Sequence, residues 1–199
     1  MAARFPRSGD RRDTKTRREP RERRVPVPLD AAKLQEMALA YVARFATSAA
    51  KCEDYLRRKL RERGWAGETP PDTRAVAARL VEAGYIDDEA YARAKSGSLL
   101  RRGYGEARVG QALGAAGIAA ETRAAVRAKP PVTRAAALHM AQKRKIGPFG
   151  AALPDRALRQ KQIAALLRAG HPLDSARELV NSPTIAAAED WAAAAGDDE

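Results

Sequence analysis

One short motif constrains the fold of this chain more than any other feature. A leucine is followed four positions later by a glycine and then by a residue that is usually bulky, at Leu60–Gly64–Trp65, Leu80–Gly84–Tyr85, Leu113–Gly117–Ile118 and Leu166–Gly170–His171. Glycine just past a helix adopts the left-handed conformation without steric cost, and the next residue packs back onto the last turn. The motif therefore predicts four helix C-termini, with Trp65 facing Leu60, Tyr85 facing Leu80 and Ile118 facing Leu113. His171 is the polar exception.

Three of these predicted helix ends are evenly spaced. Gly64 and Gly117 are 53 residues apart, as are Gly117 and Gly170. Other positions keep the same register, for example Leu56 with Val109. The spacing predicts three related units of about 50 residues each.

Each unit is expected to contain three helices. Apolar residues recur four positions apart, and the period-two alternation of strands is missing, which favours an all-α fold. The nine predicted helices span 30–46, 48–63, 72–83, 88–101, 106–116, 120–128, 133–145, 155–169 and 174–181. Since one such unit is marginal alone, we expect three tandem three-helix repeats that stack into an elongated, curved body.

Charge divides the chain into segments. Residues 1–29 carry a net charge of +6 with almost no apolar residues, and are predicted to form a disordered basic arm. The three repeats, 30–84, 85–130 and 131–183, together carry +11. Residues 184–199 carry −5 and are expected to form a frayed helix and an acidic tail.

A folded body with this much positive charge predicts a polyanionic partner, although a generic solvated surface remains the alternative. Basic residues occur in all three units. The candidate binding residues are Arg57, Arg58, Arg61, Arg101, Arg102, Arg108, Lys143, Arg144, Lys145, Lys161 and Arg168. Their side chains suit phosphates or acidic protein surfaces, and we predict that they line one groove across the units. For the pairs and triplets at predicted helix C-termini, a favourable interaction with the helix dipole is the alternative.

Catalytic and metal-binding patterns are missing from the sequence. The only cysteine, Cys52, excludes an internal disulfide and a multi-cysteine zinc site. His139 and His171 lack the further ligands that zinc needs. Asp87 fits a helix N-cap, and the acidic residues after it suit a first helical turn. We therefore expect a binding protein and not an enzyme, with no cofactor and no metal.

No stretch approaches the ~20 apolar residues that cross a bilayer, and no apolar run follows the basic N-terminus. These observations predict a protein without membrane contact. The single cysteine favours the reducing cytoplasm, and we expect a monomer.

The run VAARLVEAGYIDDEAYA, residues 76–92, resembles the centre of the RecX family of recombination regulators. Gly103-Tyr-Gly105 and the Leu113–Gly117 motif are similar to the family's second unit. Residues 56–60 resemble the first unit and residues 161–170 the last, so the resemblance covers about 34–181. The sequence departs from the family pattern in a longer segment between Ser48 and Leu60, in His171, and in Gly110 and Gly114 within a predicted helix.

The resemblance implies a tandem-repeat protein that binds RecA, lies along the groove of the RecA–DNA filament and restrains its ATPase and strand exchange in recombinational DNA repair. Contact with the DNA phosphate backbone is expected as well. Two alternatives stay open. A sequence-specific DNA-binding regulator could use 163–180 as a helix-turn-helix, although the turn glycine, expected near Arg168, stands at Gly170. A nuclease would need clustered carboxylates for Mg²⁺.

Overall fold

The computed structural model describes residues 27–194, and these residues are predominantly helical. The described helices are α1 (Ala31–Arg44), α2 (Ala49–Arg63), α3 (Thr73–Glu82), α4 (Asp88–Arg101), α5 (Glu106–Gly114), α6 (Ala120–Ala125), α7 (Pro130–Arg144), a 3₁₀ turn (Gly147–Phe149), α8 (Arg156–Arg168), α9 (Leu173–Asn181) and α10 (Ile185–Ala193). Within 27–194 the extended pairing is limited to one isolated bridge between Leu29 and Trp65. The all-α prediction is confirmed.

Three hydrophobic cores lie in succession along the chain. The first is built by α1–α3 around residues such as Leu34, Leu56 and Leu80. The second is built by α4, α5 and the residues on either side of α6, with a contribution from α7, and the third by α7–α10 around Leu166 and Leu179. Each core is small, and half of the buried residues in the third core are alanine. Small cores bury little apolar surface, so packing of the units on one another adds to their stability.

Polar side chains set most helix starts. Six helices begin after a residue whose side chain accepts a hydrogen bond from a backbone N–H group of the first turn. These capping residues are Asp30 before α1, Ser48 before α2, Asp72 before α3, Asp87 before α4, Asp155 before α8 and Thr184 before α10. Such caps satisfy N–H groups that have no partner within the helix. The start of α7 differs from the prediction, because Pro130 and Pro131 lie inside its first turn, where a missing N–H costs nothing.

The helix-ending glycines behave largely as predicted. Gly84, Gly117 and Gly170 have φ values of 75°, 71° and 94°. In each case the following N–H donates to the carbonyl of the motif leucine, as from Ile118 to Leu113 at 3.1 Å. The turn after α4 has the same geometry, with Tyr104 N donating to Leu99 O at 3.1 Å.

Two details of the motif prediction are wrong. Tyr85 does not cover Leu80, since 61 % of its surface is exposed and the neighbouring Ile86 is buried instead. At Gly64 the chain continues in an extended conformation, with ψ of 175°, so that Gly64 O accepts from Leu29 N at 3.0 Å.

Both ends of the body extend further than predicted. Leu29, assigned to the disordered arm, is fully buried in the first core. The helix expected to fray is α10, whose Ala188 and Ala192 are buried and whose Trp191 packs against the third core. Alanine side chains on both helices allow α10 to pack closely against α7. The acidic composition of residues 184–199 gave no indication of this packing. Residues 1–26, most of the predicted arm, and the last five residues lie outside the described range.

The units join head to tail, and both joints place the start of one helix against the end of another. At the first joint, Ser48 Oγ at the start of α2 donates to Ala116 O at 2.5 Å. At the second joint, Gly105 N at the start of α5 donates to Ala169 O at 2.9 Å. Ala116 and Ala169 are 53 residues apart, so the second helix of each unit begins on the end of the second helix of the next unit. The sequence repeat is therefore also a repeat of the contacts between units.

Candidate functional site

Every basic residue in the predicted binding set has an exposed side chain. None of these charges is used to stabilise a core, so all are accessible to a partner. The structure separates them into three groups, one in each unit. The groups differ in how many of their positive charges already form ion pairs with acidic side chains.

The first group lies on α2. Arg57 pairs with Glu53 at 2.5 Å and with Asp54 at 3.5 Å, so its charge is matched on its own helix. Arg58 is 3.7 Å from Glu62, and Arg61 forms no ion pair with any residue in 27–194. A hydrogen bond from Lys59, together with nearby positive charges, lowers the pKa of Glu62. Arg58 and Arg61 are therefore the more available members of this group.

The second group lies around the turn between α4 and α5. The Arg102 guanidinium lies 5.4 Å from the centre of the Tyr104 ring, a cation–π distance that holds the side chain over the turn. Arg101 lines a groove of about 310 Å³ between α4 and α7, together with His139. Arg108 donates to Gln111 Oε1 at 2.7 Å beside the second joint.

The third group is the one in which the structure brings distant residues together. Arg144, Lys145 and Lys161 line one groove of about 670 Å³ between the end of α7 and α8. Its wall is apolar at Leu153 and Leu158, which are exposed. The lining contains three basic side chains and one carboxylate, Asp155, so its net charge is positive. An apolar wall with a positive edge suits an amphipathic acidic segment of a protein. Lys143 and Arg168 are exposed but do not line this groove.

None of the grooves described contains basic residues of the predicted set from more than one unit. The single continuous groove expected from the sequence therefore remains a prediction, and the structure supplies three basic patches, one for each unit.

A further basic groove was not predicted from the sequence. It lies between the end of α1 and the start of α2, has a volume of about 520 Å³, and combines the aromatic rings of Tyr41, Phe45 and Tyr55 with basic residues. The four-residue spacing of Tyr41 and Phe45 places them on one face of α1, but only the position of α2 shows that Tyr55 joins them.

The cysteine Cys52 and the histidine His171 are both buried. Burial raises the pKa of the Cys52 thiol to about 11, so it is protonated at neutral pH. His171 is 3 % exposed and burial lowers its pKa, while its Nε2 contacts Gly103 O at 3.0 Å. No group of three or more His, Cys, Asp or Glu residues within 27–194 is arranged to bind a metal ion. Among the described helices, none has the length and apolar character to span a bilayer.

Asp88 has a role that the sequence did not reveal. Its Oδ1 accepts from Ala49 N at 2.9 Å, across the first joint, while the preceding Asp87 caps α4 by accepting from Ala90 N at 2.8 Å. The acidic run from Asp87 thus serves helix capping and unit docking.

A curated protein of Myxococcus xanthus (strain DK1622), Regulatory protein RecX, is 30 % identical to this chain over 158 residues, which cover 75 % of this chain and 84 % of that protein. The chain belongs to the RecX family. A family model described as "RecX, second three-helix domain" matches residues 87–126, which span α4 to α6. The second unit of the structure is thus the second three-helix domain of the RecX family.

Two solved RecX structures share the fold. A crystal structure of regulatory protein RecX has a TM-score of 0.56 and 20 % identity, covering 72 % of this chain and 70 % of its own. The crystal structure of RecX from Lactobacillus salivarius has a TM-score of 0.56 and 18 % identity, covering 75 % and 93 %. RecX is a regulatory family and not an enzyme family.

Proposed function

We propose that this protein is a cytoplasmic, non-enzymatic regulator that binds RecA and the RecA–DNA filament and lowers its ATPase and strand-exchange activity in recombinational DNA repair. The observation that carries this proposal is the 30 % identity to Regulatory protein RecX over 158 residues, which cover 75 % of this chain. Family members act on RecA, as the resemblance noted in the sequence implies.

The arrangement of the units supports a filamentous partner. The basic patches occur once per unit, and the units follow one another head to tail. A repeated stack can present equivalent donors to successive positions of a partner that is itself periodic. The binding surface would be the three patches, with Arg58 and Arg61, Arg101 and Arg102, and Arg144 with Lys145 and Lys161 as its main donors.

The charge of the folded body also predicts how the protein binds. A positive surface speeds encounter with a polyanion, and each phosphate contact makes the affinity fall with added salt. Inhibition of RecA should therefore need more protein as the salt concentration rises. The inhibition should also require roughly stoichiometric amounts, because no catalytic cycle amplifies the effect.

The test is an ATPase and strand-exchange assay on RecA filaments assembled on single-stranded DNA. Increasing amounts of this protein should lower both rates, and a variant with Arg57, Arg58 and Arg61 reversed to Glu should need a higher concentration. Rates that stay constant across a wide titration would overturn the proposal.

The alternative of a sequence-specific DNA-binding regulator gains no support from the contacts. The turn between α8 and α9 that would belong to a helix-turn-helix docks on the second unit, where Gly170 O accepts from Ala107 N at 3.2 Å. A footprint on one promoter that survives moderate salt would favour this alternative.

A further inference from the structure

The groove between α1 and α2 concentrates the aromatic residues of an aromatic-poor chain. The chain contains ten Phe, Tyr and Trp residues, and three of them line this groove of about 520 Å³. Tyr41 and Tyr55 stack with ring centres 4.2 Å apart and planes 6° apart. Phe45 lies 5.5 Å from Tyr41, tilted by 48°, and 56 % of its surface is exposed. A large aromatic ring that is this exposed does not serve a core.

Three cations surround these rings. Arg44, Lys51 and Arg58 line the groove, and none of its lining residues is acidic. Arg58 lies 5.6 Å from the Tyr55 ring, whereas Arg44 and Lys51 form no ion pair with the described residues. The groove therefore combines a positive rim with an accessible aromatic surface.

The backbone holds this arrangement in place. Phe45 follows the last residue of α1 with an extended conformation, and its N–H donates to Tyr41 O at 3.1 Å. The chain then turns into α2, which begins after Ser48 at the first joint. Because both helices are anchored in the first core, the groove is formed before any ligand binds.

We propose that this groove binds single-stranded DNA, with one base stacked on Phe45 and the neighbouring phosphates held by Arg44, Lys51 and Arg58. Proteins that bind single strands without sequence preference combine basic grooves with aromatic rings on which bases stack. The volume suits one nucleotide, since small-ligand sites occupy about 300–1,000 Å³. Bases within a duplex are already stacked on one another, so the groove selects single strands. The groove shares Arg58 with the donors proposed for the RecA filament, and it goes beyond that function because it binds single strands in the absence of RecA.

The first test measures binding of a fluorescently labelled oligothymidylate by anisotropy in the absence of RecA. Phe45→Ala should weaken binding by about tenfold, the loss expected from removing one stacked base. Tyr85→Ala is the matched control, because Tyr85 is exposed to a similar extent at 61 % and lies outside the groove. Both residues are exposed, so both variants should fold, and far-ultraviolet circular dichroism verifies this.

The second test separates base stacking from charge. Arg44→Ala should weaken binding. In a plot of the logarithm of affinity against the logarithm of salt concentration, it should also reduce the magnitude of the slope by about one, because one phosphate contact is lost. Arg79→Ala is its control, since Arg44 and Arg79 are both exposed basic residues in the last turn of a helix. An abasic strand of the same length should bind the wild type more weakly and should not respond to Phe45→Ala.

Three results would overturn the proposal. Phe45→Ala could bind oligothymidylate as tightly as the wild type, the abasic strand could bind equally well, or the groove could take an acidic peptide in a Phe45-dependent manner while ignoring DNA. Because RecA is absent from these assays, their failure would not bear on the proposed inhibition of RecA. Conversely, a failure to inhibit RecA would not bear on the proposed DNA site.

Discussion

At the scale of single residues, the joints between units depend on the absence of a side chain. Gly105 lies at the start of α5 with its Cα facing the second joint, where an added methyl group would overlap Gly170 O and His171 N. Gly110 lies within the same helix and has no atom within 4 Å of the position of an added methyl group.

These two glycines give a matched prediction. Gly105→Ala should lower the free energy of unfolding by roughly 1–3 kcal/mol, since the backbone must shift to remove the overlap. Gly110→Ala should raise it by about 1 kcal/mol, because alanine favours the helix over glycine. Urea unfolding followed by circular dichroism checks both, and changes of the same sign in the two variants would contradict the account of the second joint.

The buried imidazole at the same joint predicts a dependence of stability on pH. Burial lowers the pKa of His171 below its ordinary value of 6.5, so the unfolded chain takes up a proton before the folded protein does. The contribution of His171 is therefore complete above about pH 6.5 and is lost progressively as the pH falls below that value.

The measurement is urea unfolding between pH 5 and pH 8 for the wild type and two variants. His171→Gln should remove part of the loss of stability on acidification, whereas His139→Gln, at the exposed histidine, should keep it. Equal slopes in the two variants would contradict the assignment. The sequence marked His171 as the polar exception of the motif, but its partner Gly103 is 68 residues away, so the contact was not predictable.

At the scale of helices, the sequence located the starts and ends that depend on local chemistry. Aspartate or serine caps and glycine stops act within four or five residues, which is why most helices were predicted within a few residues. The packing of α10 depends on its contact with α7. The burial of Leu29 depends on its isolated backbone bridge to Trp65. An alanine face or a lone leucine carries no local signal for such contacts.

The left-handed turn at the end of α7 is formed without a glycine. Lys145 ends α7 in the left-handed conformation, with φ of 54°, and Ile146 N donates to Ala141 O at 2.9 Å, as at the glycine stops. A left-handed conformation costs a residue with a side chain about 1 kcal/mol or more. Because the motif is defined by its glycine, it does not mark this turn in the sequence.

Lys145→Gly should accordingly raise the free energy of unfolding by about 1 kcal/mol. Lys143→Gly, two residues earlier within α7, should lower it by about 1 kcal/mol, because glycine disfavours a helix. Thermal unfolding of the two variants provides the comparison. A loss of stability in Lys145→Gly equal to that in Lys143→Gly would show that the left-handed turn carries no strain.

At the scale of the whole molecule, the 53-residue spacing predicted the number and order of the units. It did so because the contact between units repeats with the helices, as Ala116 and Ala169 demonstrate. The binding surface was less predictable. Whether basic residues of different units face one groove depends on the rotation between units, and the spacing along the chain carries no information about that rotation. Lys145 and Lys161 share a groove within the third unit, whereas the groove that Arg101 lines is completed by His139 of the next unit.

The central claim is that basic patches on all three units engage the RecA filament. Three variants each reverse two charges, one pair in each unit: Arg58 and Arg61, Arg101 and Arg102, and Arg144 and Lys161, all to Glu. A fourth variant reverses Arg74 and Arg79 of α3, which are exposed outside the predicted patches and give the same change in net charge.

The deciding measurement is the protein concentration that halves the ATPase rate of RecA filaments on single-stranded DNA. Each patch variant should need at least several times more protein than the wild type, and the Arg74 and Arg79 variant should inhibit almost as the wild type does. Patch variants that inhibit at the wild-type concentration, or a control variant that is weakened equally, would contradict the account.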